Sequence, residues 1–309
     1  MRTRDHEELA PLVNLADISE IELVILKRMR EMTLGDHRSR SQGAGFDFQG
    51  LRDWQAGDKF SAIDWAQSSI TNFSPLMVRE FEQTSTATVM PIADFSASTR
   101  CGVDGVPIAA AIARGIATIG MSAVFFQDPF GLLTFDRGFE HIAALRPRLG
   151  KSHVVHCVDA YQYERELQHI RRSGSISTSL GGFVRRQSLL PVISDFLFDD
   201  VDDVLKELSL LAVNHDVFLV LIDSAFAFRL PKVSAGWIEI MDVETGRART
   251  VSRRQYAQLG ERAAEWQRRV QQRAKELGLD VVMLGLDQAK SDIALTEFVV
   301  ERRLRKTHE

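Results

Sequence analysis

Two cysteines, Cys101 and Cys157, are all that 309 residues contain, so no disulfide framework holds this chain together and a reducing compartment suits it. An excess of charge of one sign is also missing. Lys and Arg number 38 against 42 Asp and Glu, a net charge of -4 that excludes the strongly basic balance with which whole-protein nucleic-acid binders neutralise phosphates. The opening MRTRDHEELAPLVNLADISE lacks the apolar core of a signal peptide. The most apolar long window, VPIAAAIARGIATIGMSAVFF, is interrupted by Arg114, Gly115 and Gly120 and reads as a helix running into a strand rather than as a membrane span. The expectation is a cytoplasmic protein with no nucleic-acid partner and no membrane insertion.

Several catalytic signatures are absent as well. Without a G-x-x-x-x-G-K-[ST] loop the chain has no means of cradling ATP phosphates in the P-loop manner. The stretch GAGFDF lacks the third glycine and the following helix of a dinucleotide fingerprint, and no G-x-S-x-G elbow presents a serine nucleophile. His153, His156 and Cys157 share a helical face at i, i+3 and i+4, but with no fourth ligand nearby they read as a partly buried face rather than a zinc site.

What remains is 45% hydrophobic and 26% charged, enough to bury a substantial core. Ile18, Ile21, Val24, Ile25 and Met29 recur at helical spacing, predicting an amphipathic helix from about Asp17 to Gly35. The Gly-, Asp- and Trp-rich stretch 36–69 has no sustained period and reads as an ordered loop. Within it, Trp54 and Trp65, beside Asp53, Asp58 and Asp64, read as anchors for that irregular segment. PLMVREFEQ alternates as an edge strand does, and TATVMPIADF is apolar as a doubly buried strand is. Thereafter strands and helices alternate: a helix over 107–120, two apolar runs divided by DPFG, a helix near 151–171, a polar loop RRSGSISTSLGG leading into another helical stretch, and the strand SLLPVISDF. The helix DDVDDVLKELSLLAVNH, the strand DVFLVLIDS, an Arg-rich helix near 254–277, the strand LDVVMLGLD and a last helix complete the pattern. Such alternation predicts an α/β fold whose mainly parallel sheet has helices on both faces, with ligands at the carboxyl ends of its strands. The N-terminal helix and irregular segment are expected over 1–85, packed on a main domain over 86–309.

Asp94 and Asp195 both stand at such strand ends. On a strand-to-loop turn Asp94, Ser96 and Ser98 can gather around one point. One carboxylate and two hydroxyls form a hard, all-oxygen set suited to Mg²⁺, or to Mn²⁺ or Ca²⁺ in its place. A second loop would complete the site, with Thr178 from SISTSL and Asp195 from VISDF as candidates. The competing reading makes these residues helix and turn caps.

The run Asp94-Phe95-Ser96-Ala97-Ser98, together with Thr178 and Asp195, resembles the metal-ion-dependent adhesion site of von Willebrand factor type A domains. The upstream GAGFDFQGLRDWQAGDKFSAIDWAQSS and LMVREFE resemble the signature of a bacterial branch, the family called domain of unknown function 58. Two departures stand out: Ser61 lies where a basic residue is usual, and Thr99 follows the second serine where methionine is common. The resemblance implies a Rossmann-like von Willebrand A fold in which Asp94, Ser96, Ser98 and Thr178 surround the ion, with Asp195 supporting it directly or through water. It also implies partnership with a MoxR-type AAA+ ATPase. The expected function is therefore a non-enzymatic adaptor, presenting a client for assembly, metal loading or remodelling, with an acidic residue of the client or partner completing the metal shell. Some members of the family accompany methanol dehydrogenase maturation. A metal-dependent hydrolase or phosphatase using the same oxygens, and a purely structural α/β subunit, are the alternative readings.

Overall fold

Along the strand Ser188–Ser194, Leu189 and Ile193 face one side and Leu190 and Val192 the other, and all four are buried. A strand apolar on both faces needs cover on both, and the fold supplies it as two helical layers around a sheet. The computed structural model describes residues 11–36, 47–55, 63, 68–69, 72–82, 87–103, 106–136, 139–184, 187–223, 225–228, 236–241 and 247–305. Ser61, Trp65, Asp58 and Asp64 lie outside the described residues.

In chain order the elements are α1 (Leu15–Asp36), β1 (Asp47–Asp53), β2 (Met77–Glu82), β3 (Thr88–Val89) and β4 (Ile92–Asp94), then a 3-10 turn (Ala97–Arg100). Next come β5 (Gly102–Val103), β6 (Val106–Pro107), α2 (Ile108–Phe125), β7 (Phe130–Asp136), β8 (His141–Arg148), α3 (Lys151–Tyr163) and β9 (Gln168–Ile170). They are followed by α4 (Ile176–Leu180), β10 (Ser188–Ser194), α5 (Val201–Leu211), β11 (Asp216–Ile222) and α6 (Ala225–Phe228). The chain continues through β12 (Trp237–Met241), β13 (Ala248–Ser252), α7 (Arg253–Glu276), β14 (Asp280–Leu284) and α8 (Gln288–Arg305).

The main sheet has the order β14-β11-β10-β3-β7-β8-β9, with β4 continuing the lane of β3 between β10 and β7. Its strands from β14 to β7 are parallel, and β8 and β9 add antiparallel at one side. Met90 and Pro91 split the expected single strand into β3 and β4, because Pro91 has no N–H to donate to a ladder. The chain first builds outward from β4 through β7 and returns to its other side with β10. That reversal opens a crevice at the carboxyl ends of β4 and β10.

One face of the sheet is covered by α1, α2, α3 and α8, the other by α4, α5 and α7. At the start of α1, Asn14 Oδ1 accepts from the N–H groups of Ala16 and Asp17 at 2.8 and 3.0 Å, and Ile18, Ile21 and Ile25 point into the core. Helix α2 has the length and apolarity of a membrane span, and here it lies between the sheet and α1, α3 and α8 with most of its residues buried. The break expected near residue 120 does not occur: α2 runs on to Phe125, so 121–125 is helix and not strand. Arg114, which reads in sequence as an interruption, is paired inside the fold. Its Nε and Nη2 meet Asp292 Oδ2 at 2.9 and 2.7 Å, and Thr118 Oγ1 donates to Asp292 Oδ1 at 3.0 Å, joining α2 to α8.

Other expectations are corrected locally. The loop over 36–69 contains β1, which pairs with β2 as a separate antiparallel ribbon rather than placing β2 at the edge of the main sheet. The helix expected to 171 ends at Tyr163, and β9 follows. The polar stretch SISTSL itself forms α4, capped by Ser175. The β12–β13 hairpin has no counterpart in the sequence reading.

Of the two glycines of α2, Gly120 stands in the closer contact with neighbouring elements. A Cβ there would stand 2.5 Å from Val154 Cγ1 and 3.0 Å from Phe130 Cζ, whereas at Gly115 the nearest atom is Leu284 Cδ1 at 3.4 Å. Gly120→Ala is therefore expected to destabilise the protein by about 1–3 kcal/mol through overpacking. Gly115→Ala should be near neutral, because the gain in helix propensity offsets a small adjustment. Urea unfolding of both variants checks this, and equal midpoints would refute the packing argument.

Candidate metal centre

The parallel pairing of β4 with β10, Ile92 against Val192 and Ala93 against Ile193, carries both strands to the crevice in step. Asp94 leaves β4 there with 2% of its surface exposed, and Asp195 leaves β10 with 5% exposed. The turn after Asp94 folds back on its carboxylate. Asp94 Oδ1 accepts from the Ser96 N–H at 2.9 Å and from Ser96 Oγ at 2.7 Å, and Ser96 Oγ lies 3.0 Å from Ser98 Oγ. Three of the expected oxygens are thus in one hydrogen-bonded cluster. The 3-10 turn is fastened by Thr99, whose hydroxyl donates to the Ser96 carbonyl at 2.7 Å.

Residues that the sequence did not single out hold this cluster in place. Ser194 Oγ donates to Asp94 Oδ2 at 2.5 Å, and the Phe196 N–H donates to the same Ser194 oxygen at 2.9 Å. Tyr161 on α3 donates its phenol to the Asp94 carbonyl at 2.8 Å, and its ring meets Phe95 edge-on at 5.5 Å. The Arg100 guanidinium lies 4.7 Å over the Phe95 ring. On the other side, Asp195 Oδ1 accepts from the Leu197 N–H at 3.1 Å, and Gln267 of α7 donates to the Asp195 carbonyl at 2.9 Å. A hydroxyl directly before the second aspartate was the only available signal for Ser194. Its role depends on a strand register that one sequence does not display.

Thr178 stands apart from these contacts. It is exposed in α4, its N–H donates to Ser175 Oγ at 3.2 Å, and its hydroxyl lies 2.9 Å from the same atom. Its contacts in this structure are those of a helix cap. His153 and His156 face one another at 5.8 Å between ring centroids, while Cys157 is in the core, where burial pushes its thiol up to about 12.

The electrostatics of the two aspartates are unusual for surface-loop carboxylates. Burial raises the pKa of Asp94, against the lowering effect of hydrogen bonds from Ser194 and Ser96. Burial, and then the charge of Asp94, push Asp195 up to about 7. Among the described residues, no Lys, Arg or His pairs with either one. Two adjacent buried carboxylates without a cationic side chain carry an uncompensated cost. A hard divalent cation, met by Asp94, Ser96 and Ser98 with Asp195 beside them, would remove that cost, so this oxygen set fits such an ion.

A family model described as "Protein of unknown function DUF58" matches residues 50–273. No curated protein is significantly similar to the chain. Among solved structures, an aerotolerance-related membrane protein from Bacteroides fragilis is similar at 13% identity and a TM-score of 0.41, over 70% of this chain and 99% of that one. BatB from Bacteroides thetaiotaomicron is similar at 14% identity and a TM-score of 0.41, over 71% and 99%. The pilus adhesin SpaC from Lactobacillus rhamnosus GG follows at 10% identity and 0.40, over 73% of this chain and 31% of its own. Likeness at this level carries nothing about what any of these chains binds.

The raised pKa of Asp195 makes a stability prediction. An unfolded aspartate loses its proton near pH 4, whereas in the native state this one keeps it to about 7, so the native state binds more protons between those values. Stability contributed by this group falls as pH rises through that window and the penalty is complete above it. In EDTA at pH 8, Asp195→Asn should therefore melt several degrees above the parent, with the difference fading towards pH 4. Mg²⁺ should raise the melting temperature of the parent at pH 8 and leave that of Asp94→Ala unmoved. Differential scanning fluorimetry reads both, and a parent insensitive to Mg²⁺, Mn²⁺ and Ca²⁺ would reduce the cluster to a set of turn caps.

Proposed function

The chain belongs to the DUF58 family, whose function is unknown, and from that membership and the geometry around Asp94 we propose that it is a metal-dependent protein-binding adaptor acting with a MoxR-type AAA+ ATPase. The observation that carries the reading is the pairing of two buried carboxylates, met by no cationic side chain among the described residues, with the Ser96 and Ser98 hydroxyls at the carboxyl ends of β4 and β10. Under this reading the fold is a von Willebrand A-like domain and the cluster is its adhesion site. Asp94, Ser96 and Ser98 hold Mg²⁺, and Asp195 supports it. Thr178 joins only if α4 gives up its cap contact with Ser175.

The chemistry of the ligands favours docking. Hydroxyls bring no charge, so an ion held by them and by few carboxylates keeps a net positive charge and an open position. A glutamate or aspartate from another protein completes that shell, which makes binding cation-dependent and selective for an acid at one point. The bound ion supplies Lewis acidity. The residues of this chain hold the carboxylates and hydroxyls in register and limit the access of water to the Asp94 side.

The ATPase and the client, for assembly, metal loading or remodelling, rest on the family resemblance. With a purified MoxR-type ATPase, co-elution in Mg²⁺ should be lost in EDTA and in Asp94→Ala, while Ser175→Ala retains it. Co-elution that is indifferent to both metal and Asp94 would move the contact to another surface and remove the adhesion-site reading.

A further inference from the structure

An acidic residue by itself is a poor mark of one partner, since protein surfaces carry many. The turn that holds the candidate ion ligands also carries a cation. Arg100 closes the 3-10 turn two residues after Ser98, and its side chain is exposed. The guanidinium lies 4.7 Å over the Phe95 ring and 5.8 Å from the centre of the Tyr161 ring. Its Nη2 reaches the Tyr161 carbonyl at 3.5 Å, the long limit of a hydrogen bond, and among the described residues no carboxylate pairs with it.

Both rings beneath it are fixed. Phe95 directly follows Asp94 and packs against the core, while Tyr161 is fully buried and its phenol donates to the Asp94 carbonyl. Stacking on such a surface orders the guanidinium and leaves its N–H edge for a carboxylate. The turn is tied as firmly. The Thr99 N–H donates to the Ser96 carbonyl and the Cys101 N–H to the Ser98 carbonyl, each at 3.0 Å. Arg100 is thus held in a definite place relative to the Ser96 and Ser98 hydroxyls.

Its charge acts where the aspartates act. At the Tyr161 phenol burial raises the pKa, the charge of Asp94 raises it further, and that of Arg100 lowers it. Asp94 also feels the charge of Asp136, so three carboxylates bear on this end of the sheet with Asp195 counted. A divalent ion balances two of them. The third opposes an incoming acid, and Arg100 offsets it.

We propose that Arg100 is a specificity-determining residue of the docking site, which selects a partner segment with two neighbouring carboxylates, one completing the shell of the ion and the other pairing with the guanidinium. This selection rests on the adaptor reading. A phosphate suits the turn less well, because it needs several donors converging on one point. The N–H groups of Ser96, Thr99 and Cys101 are already given to Asp94 Oδ1 and to carbonyls of the turn.

The test uses the full chain in Mg²⁺ at low salt and labelled glycine–serine peptides that carry one glutamate or an adjacent pair. Anisotropy reads peptide binding, and calorimetry reads Mg²⁺ binding without peptide. The parent should hold the paired peptide about fivefold more tightly than the single one. Arg100→Gln should lose that preference and Arg100→Lys should keep part of it. Mg²⁺ should bind Arg100→Gln at least as tightly as the parent, because a neighbouring positive charge is gone. If Arg100→Gln weakens Mg²⁺ and peptide together, Arg100 merely props the turn and the proposal is overturned. A parent without the preference overturns it too, as does inorganic phosphate that displaces the paired peptide at a lower concentration than glutarate. Peptide binding that needs Mg²⁺ but ignores Arg100 removes this inference and leaves the adaptor reading standing, whereas a parent that binds no Mg²⁺ removes both.

Discussion

The in-step parallel pairing of β4 with β10 is the constraint on which the rest depends. It makes Ser194 a hydrogen-bond donor to Asp94 across a hundred residues of sequence and brings Asp195 close enough for the charge of one aspartate to raise the pKa of the other. Hydroxyl donors lower the cost of burying Asp94 but do not cancel it, because its pKa remains raised by burial. Around this pair the backbone is held from both helical layers. Tyr161 reaches the Asp94 carbonyl from α3, and Gln267 reaches the Asp195 carbonyl from α7. Tyr161 and Gln267 thus fix the site through its main chain, while Ser194, Ser96 and the Leu197 N–H hold the carboxylates themselves.

The same layers explain how a helix as apolar as α2 serves the site. It starts at Ile108, whose N–H donates to the Cys101 carbonyl at 2.9 Å just beyond the Ser96–Ser98 turn, so movement of the helix would move the turn. Burial on nearly every side requires an apolar circumference. The buried Arg114–Asp292 pair then sets how α2 and α8 pack, since neither charge can stay buried alone without a cost of several kcal/mol, about 3–5 by analogy with broken buried pairs.

What was legible in the sequence is what local spacing controls. Asp94, Ser96 and Ser98 lie within five residues, and a strand followed by a turn brings them together whatever the rest of the chain does. The long periodic helices and the doubly apolar strands follow from periods of 3.6 and 2. Ser194, Tyr161 and Gln267 were not legible because each acts through a partner far away in sequence, chosen by register or helix packing. Thr178 was offered by its polar stretch and by the resemblance, and its neighbour Ser175 competes for its hydroxyl. The missed strands are short or atypical. β9 has three residues, and β8 contains Pro147 and ends in arginines, so neither shows a usable alternation. The run 121–125 suits helix and strand equally in composition, and packing beneath α1 and α3 decides for helix.

Under the proposed role, the cation and the partner must arrive in a definite order. Without the ion, an acidic side chain approaching the crevice meets two carboxylates and is repelled. With a divalent ion those two charges are balanced, and because Ser96 and Ser98 contribute oxygens without charge, the ion keeps an open position for an incoming carboxylate. The ion therefore replaces a repulsion at this point with a coordination bond. A partner that offers one acid to the crevice would meet an attraction conditional on the metal. Occupancy of the metal site would then decide whether that acid is held.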